Sequence, residues 1–142
     1  MTPRSADSLV AEARARIDRV APEALPEVLE SGGLVVDIRP VAQRAAEGEL
    51  PGAHIIERNV LEWRLDPTGE HRIPEVSGWE QPIVLVCSEG YASSLAAASL
   101  ADMGFTCVGD LIGGFLAWNR RQQMTTGKER DRKVRESVAD TG

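Results

Sequence analysis

Short apolar runs alternate along the chain with segments in which apolar residues recur every three or four positions. Ile83-Val84-Leu85-Val86 is fully apolar and rich in β-branched residues, so it predicts a strand buried on both faces. Leu34 to Ile38 has the same character with one acid, Asp37, inside it, and predicts a second central strand. Thr106 to Leu111, the short run Ile17 to Val20 and His54 to Ile56 complete the strand candidates. Helical spacing is clearest from Ala92 to Met103, where Ala92, Leu95, Ala96, Ser99, Leu100 and Met103 share one face and Gly104 follows as the stop. Leu25, Val28 and Leu29 mark a helix that starts at Ala21-Pro22-Glu23 and ends at Ser31-Gly32-Gly33. Pro40 to Glu47 predicts another, and Gly113-Gly114 leads into a last one carrying Phe115, Leu116 and Trp118. Residues 57–80 are broken by Pro67, Gly69, Pro74 and Gly78 and predict loop with one short helix. Strands alternating with helices predict an α/β fold, a parallel sheet covered by helices on both faces.

The length of 142 residues suits one compact domain, here divided into a polar lead at 1–16, a domain at 17–121 and a polar tail at 122–142. With 42% hydrophobic and 27% charged residues the composition is that of a globular chain rather than a disordered one. No run approaches the roughly 18 apolar residues of a membrane span. The first 20 residues carry Arg4, Arg14, Arg16 and Arg19 without an apolar block, so no secretory signal is read and a cytoplasmic location is expected. In that compartment Cys87 and Cys107 are expected as free thiols. Net charge is −6, divided as +3 for residues 120–142 and −9 for the rest. An acidic body repels phosphate backbones, and the mixed-sign run Lys128 to Glu136 reads as a solvated or frayed helix, so neither nucleic acid nor membrane is expected as a partner.

The chemistry concentrates after Ile83-Val86. In a parallel α/β sheet ligands bind at the carboxyl ends of strands, in loops leading to helices, and Cys87 occupies that place. The loop Cys87-Ser88-Glu89-Gly90-Tyr91-Ala92 runs into a helix N-terminus, whose free N–H groups and positive dipole end stabilise an anion. A thiolate is such an anion, so Cys87 is expected to ionise below the ordinary thiol value of about 8.5 and to be nucleophilic. Gly90 supplies the backbone freedom of a tight turn. A buried structural thiol is the competing reading.

These residues resemble a single-domain rhodanese. The resemblance is carried by Val86-Cys87-Ser88-Glu89-Gly90-Tyr91-Ala92-Ser93-Ser94-Leu95-Ala96-Ala97, by Leu100 to Phe105, and by Leu111-Ile112-Gly113-Gly114-Phe115-Leu116-Ala117-Trp118. Val36-Asp37-Ile38-Arg39 and Pro51-Gly52-Ala53-His54-Ile55 support it upstream. It implies a five-stranded parallel sheet and a sulfurtransferase that carries sulfane sulfur as a Cys87 persulfide, with no metal and no organic cofactor. The N–H groups of Ser88, Glu89, Gly90, Tyr91 and Ala92 would cradle the sulfur, with Ser93 as a hydroxyl donor. A small sulfur donor or a protein persulfide would load Cys87, and a thiol or cyanide would unload it, in a monomer or weak dimer. Many rhodaneses carry Arg where this chain has Ala92, and Glu89 adds a negative charge, so thiosulfate is expected to be a weak donor. Phosphatases of the Cys-x5-Arg type need a guanidinium where this chain has Ser93. A protein-binding module without catalysis and a thiol redox sensor are the alternatives.

Other polar residues fill out the expectation. Arg58 and Arg64 are candidates for the missing positive charge at the substrate site. Arg39 is expected in a structural ion pair with Glu47, Arg44 in a surface pair, and Asp37 as a buried, hydrogen-bonded carboxylate. Trp63, Trp79 and Trp118 read as packing residues, with Trp63 also a candidate pocket wall. His54 and His71 lack a third ligand at a familiar spacing, so no zinc site is expected. Cys107 reads as inert unless its sulfur reaches Cys87.

Overall fold

A computed structural model describes residues 2–140, and the side chains of residues 2–127. Five parallel strands make one sheet: β1 (Asp18–Val20), β2 (Leu34–Asp37), β3 (His54–Ile55), β4 (Ile83–Val86) and β5 (Val108–Leu111), in the order β1-β5-β4-β2-β3. The helices are α1 (Ala6–Arg14), α2 (Leu25–Glu30), α3 (Val41–Glu47), α4 (Leu61–Leu65), α5 (Ala92–Met103) and α6 (Gly114–Asp140). Every residue of β2, β4 and β5 is buried, as continuous apolar runs require of strands covered on both faces. β4, the most apolar run, lies in the middle.

Alternation along the strands builds two cores. Leu34, Val36, Ile83 and Leu85 face Ala96, Ala97 and Leu100 of α5 and Leu61 and Leu65 of α4. Val35, Val84 and Val86 face the other way, onto Leu25 of α2, Leu50 and Phe115 of α6. Burying each large aliphatic side chain is worth about 1.5–3 kcal/mol, so both layers are held mainly by these contacts. Small alanines bring the α5 backbone close to the sheet, which also brings its N-terminus close to the end of β4.

The pattern of elements follows the expectation, with shorter strands and with α6 running past residue 121, where the domain was expected to end. β5 starts at Val108, and just before it the Thr106 N–H bonds the distant loop carbonyl of Trp79. Residues 57–80 contain a 3-10 turn at Arg58–Val60 and the five-residue α4. The polar lead is an amphipathic helix: the Ser5 hydroxyl accepts from the Ser8 N–H at its start, and Val10 and Ala13 are buried. Arg16 pairs with Asp102 at the far end of α5. At the other end α6 continues through Asp140, and of the run Lys128 to Glu136 the side chains lie outside the described residues.

Candidate active site at the end of the central strand

Cys87 follows β4 directly, and its sulfur is gripped by the turn into α5. The Gly90 N–H donates to Sγ at 3.1 Å and the Ser93 N–H at 3.4 Å, while Sγ lies 3.2 Å from Ser93 Oγ. Gly90 has φ +90°, and a Cβ there would sit 3.0 Å from the Gly113 nitrogen. Gly114 has φ +66°, and a Cβ there would sit 2.5 Å from Ser88 O. The two loops therefore press backbone to backbone, and the Phe115 and Leu116 N–H groups donate to the carbonyls of Cys87 and Ser88 at 2.8 and 3.1 Å. The Gly-Gly pair is thus a clamp on the cysteine loop. Cys87 is 8% exposed, but it forms one wall of an open hollow of about 380 Å³ with Gln43, Glu47, Ser88, Glu89, Tyr91 and Ala92.

Behind the loop lies a buried carboxylate, Asp110 of β5, with no exposed surface. Its Oδ2 accepts the Ser93 hydroxyl at 2.7 Å and the Ser94 hydroxyl at 2.8 Å, and its Oδ1 accepts Arg19 Nε at 2.9 Å. Arg14 of α1 donates to Gly90 O at 2.8 Å and to Ser94 Oγ at 3.1 Å, and its guanidinium lies 5.3 Å from the Tyr91 ring. On the mouth side Glu47 Oε1 receives Arg39 Nη1 at 3.1 Å and the Ser88 hydroxyl at 2.9 Å. Arg39, wholly buried, also makes a bidentate pair with Asp37 through Nε at 3.0 Å and Nη2 at 2.7 Å, and stacks 4.0 Å from the Phe115 ring. Burial opposes its charge, but the hydrogen bonds and charges of Asp37 and Glu47 outweigh that and push its pKa up.

The Rhodanese-like domain family matches residues 21–121. This chain belongs to that family. It is 35% identical over 101 residues to the thiosulfate sulfurtransferase GlpE of Pseudomonas aeruginosa PAO1, covering 70% of this chain and 82% of that one. GlpE of Haemophilus influenzae is 25% identical over 103 residues, 72% of this chain and 89% of the relative. Among solved structures, a Rhodopseudomonas palustris protein described as of unknown function and a possible tyrosine phosphatase superposes with TM-score 0.76 at 29% identity, covering 86% and 94% of the two chains. The human single-domain sulfurtransferase TSTD1 superposes with TM-score 0.59 at 25% identity, covering 72% and 95%.

The rhodanese loop of this chain brings together only part of the predicted set. Among the described residues the N–H donors to the sulfur are Gly90 and Ser93; Ser88, Glu89, Tyr91 and Ala92 line the hollow. Arg58 pairs with Glu62 at 2.9 Å beside a separate hollow, and Arg64 donates to His71 O at 2.8 Å, so neither lines the Cys87 hollow. Arg39 pairs with Glu47 as expected and, beyond the expectation, with the buried carboxylate of Asp37, and Arg44 pairs with Glu49. Trp79 packs on Phe105 and Trp118 on Phe115, while Trp63 is 61% exposed. Cys87 and Cys107 are both free thiols, and no cluster of three metal-ligating side chains occurs among the described residues. Gln43, Arg14, Arg19 and Asp110 are site residues that the sequence pattern did not single out, and Glu47 was read only as the partner of Arg39. For Asp110 the signal was present: an acid inside a buried strand, as at Asp37.

Proposed function

We propose that the chain is a sulfurtransferase in which Cys87 carries sulfane sulfur as a persulfide. The Cys87 thiolate attacks the outer sulfur of a donor R–S–SH, the donor's S–S bond breaks, and RS⁻ leaves as Cys87–S–SH forms. An acceptor thiolate, or cyanide, then attacks that terminal sulfur and releases the Cys87 thiolate. Both steps exchange one S–S bond for another or for S–C, so no external oxidant is consumed. The observation that carries the reading is the sulfur itself, 3.1 Å from the Gly90 N–H and open on one side to a hollow. The names of the GlpE and TSTD1 relatives support the reaction class.

The donor we favour is a small or protein-borne persulfide rather than thiosulfate. Among the described residues Glu47, paired with Arg39, and Glu89 line the hollow and no cation does, so a dianion meets the Glu89 carboxylate where a guanidinium would have helped it. The same lack argues against the phosphatase chemistry attached to the Rhodopseudomonas palustris neighbour, because phosphoryl oxygens need such a clamp. Incubation with a persulfide donor followed by intact-mass measurement tests the proposal. One sulfur atom should be gained, mapped to the Cys87 peptide and lost on adding cyanide, and Cys87→Ser should gain none. A protein that stays at its original mass after exposure to every donor class would be a binding module instead.

A further inference from the structure

The buried Asp110 has no part in the sulfur-transfer steps, yet it is one hydroxyl away from the reacting atom. Ser93 has a single hydroxyl proton, and at 2.7 Å from Asp110 Oδ2 that proton points at the carboxylate. Ser93 Oγ therefore turns a lone pair to the sulfur at 3.2 Å, the arrangement that accepts a proton from an S–H group. This arrangement holds the thiol, while transfer chemistry needs the thiolate. If the thiol proton simply left for water, two anions would face one hydroxyl inside the protein, which electrostatics disfavours.

We propose that Asp110 is a positioning residue that takes up the Cys87 proton through the Ser93 hydroxyl. The S–H bond breaks as an O–H bond forms on Ser93 Oγ, and the original Ser93 O–H bond breaks as one forms on Asp110 Oδ2. The products are a thiolate receiving the Ser93 hydroxyl and a neutral Asp110 donating back to Ser93 Oγ. The pair keeps one negative charge throughout, so no additional charge is buried. Arg19 at 2.9 Å favours the ionised carboxylate, so the proton rests on Cys87 and crosses to Asp110 only as the sulfur reacts. Arg19 from β1 and the Ser94 hydroxyl from α5 hold the carboxylate in place, and Arg14 from α1 holds Ser94. The sulfur is faced in turn by the Gly90 and Ser93 N–H groups, with Glu47 and Glu89 at the mouth. Arg14 and Arg19 precede the family-matched segment 21–121, so this support comes from the part of the chain outside it.

The proposal concerns the same cysteine as the proposed function, and alkylation separates the two. The rate of iodoacetamide labelling at the Cys87 peptide is followed against pH, with no sulfur donor present. One proton shared by two sites gives a flat stretch in that profile. Asp110→Asn should abolish the flat stretch and leave a single rise of rate with pH. A carboxylate acting only through its charge would give no flat stretch in the unsubstituted protein, only a single rise that Asp110→Asn moves to lower pH. Ser93→Ala should act like Asp110→Asn, whereas Ser94→Ala, which takes a hydroxyl from the same Oδ2 without touching the sulfur, should keep the flat stretch. Circular dichroism and thermal melting verify folding, and if Asp110→Asn does not fold, the Ser93→Ala and Ser94→Ala pair decides. A single rise with no flat stretch in the unsubstituted protein, or identical profiles for the two serine variants, would overturn the proposal. Loss of sulfur loading with intact profiles would count against the proposed function alone.

Discussion

A methyl group at position 92, where many rhodaneses have a guanidinium, leaves the hollow at Cys87 lined, among the described residues, by Glu89 and the Arg39-paired Glu47 and by no cation. At an effective dielectric of about 20, one like charge about 6 Å from a singly charged ligand opposes it by about 3 kcal/mol before screening. Ala92→Arg should therefore raise kcat/KM for thiosulfate by about tenfold to a hundredfold, chiefly through KM, and leave neutral persulfide donors almost unaffected. Steady-state kinetics with both donor classes would check it, and equal effects on the two would mean that mouth charge does not select the donor. The candidate cysteine and the composition of its loop were legible in the linear pattern, because six consecutive residues make the turn. The direction taken by Arg58 and Arg64 was not. Glu62 and the His71 carbonyl, met only in the folded chain, draw their guanidinium groups away.

Between elements, two charged groups act as fasteners. Arg39 ties the end of β2 to the end of α3 by bonding Asp37, Glu47 and Gly48 O while itself wholly buried. Arg39→Met should destabilise the fold by about 3–5 kcal/mol, because it leaves the Asp37 carboxylate buried without its partner. Adding Asp37→Asn should recover part of the loss, and chemical denaturation of the three proteins would measure both. Glu62 joins α4 to α5: burial pushes its pKa up, but hydrogen bonds from Ser99 and Arg58 and the Arg58 charge outweigh that and leave it lowered from 4.5. A carboxylate with a lowered folded value stabilises the fold fully above its unfolded value, and loses that contribution as pH falls through the folded one. Glu62→Gln should therefore lower the melting temperature at neutral pH and narrow the gap to the unsubstituted protein as pH drops below the ordinary carboxylate range. A gap that widens in acid would refute the assignment. Element types were readable from periodicity, but the docking of α1 was less so, since only Val10 and Ala13 of it are buried.

For the molecule as a whole, a net charge of −6 adds a diffuse repulsion to the local one at the mouth. Salt screens such a field over about 10 Å at 0.1 M. Raising ionic strength from low values should thus increase kcat/KM for thiosulfate and leave a neutral persulfide donor unchanged, as stopped-flow measurements would register. A fall with salt for thiosulfate would point to a cationic surface guiding the donor instead.

Runs of β-branched residues, helical spacing and turn glycines are local properties, and they sufficed to place β4, the cysteine loop, α5 and the Gly-Gly turn in order along the chain. They also limited the candidate nucleophile to Cys87, because a strand that ends at a helix start puts its next residue among free N–H groups. The surroundings of that sulfur came from topology. The order β1-β5-β4 sets Arg19 against Asp110, 91 positions away, and sets Asp110 behind a loop on the neighbouring strand. No local pattern encodes which distant side chains will share a buried hydrogen-bond network, since that depends on which strands pair and in what register. Packing of the sheet turned an isolated acid in β5 into the partner of a hydroxyl in the cysteine loop.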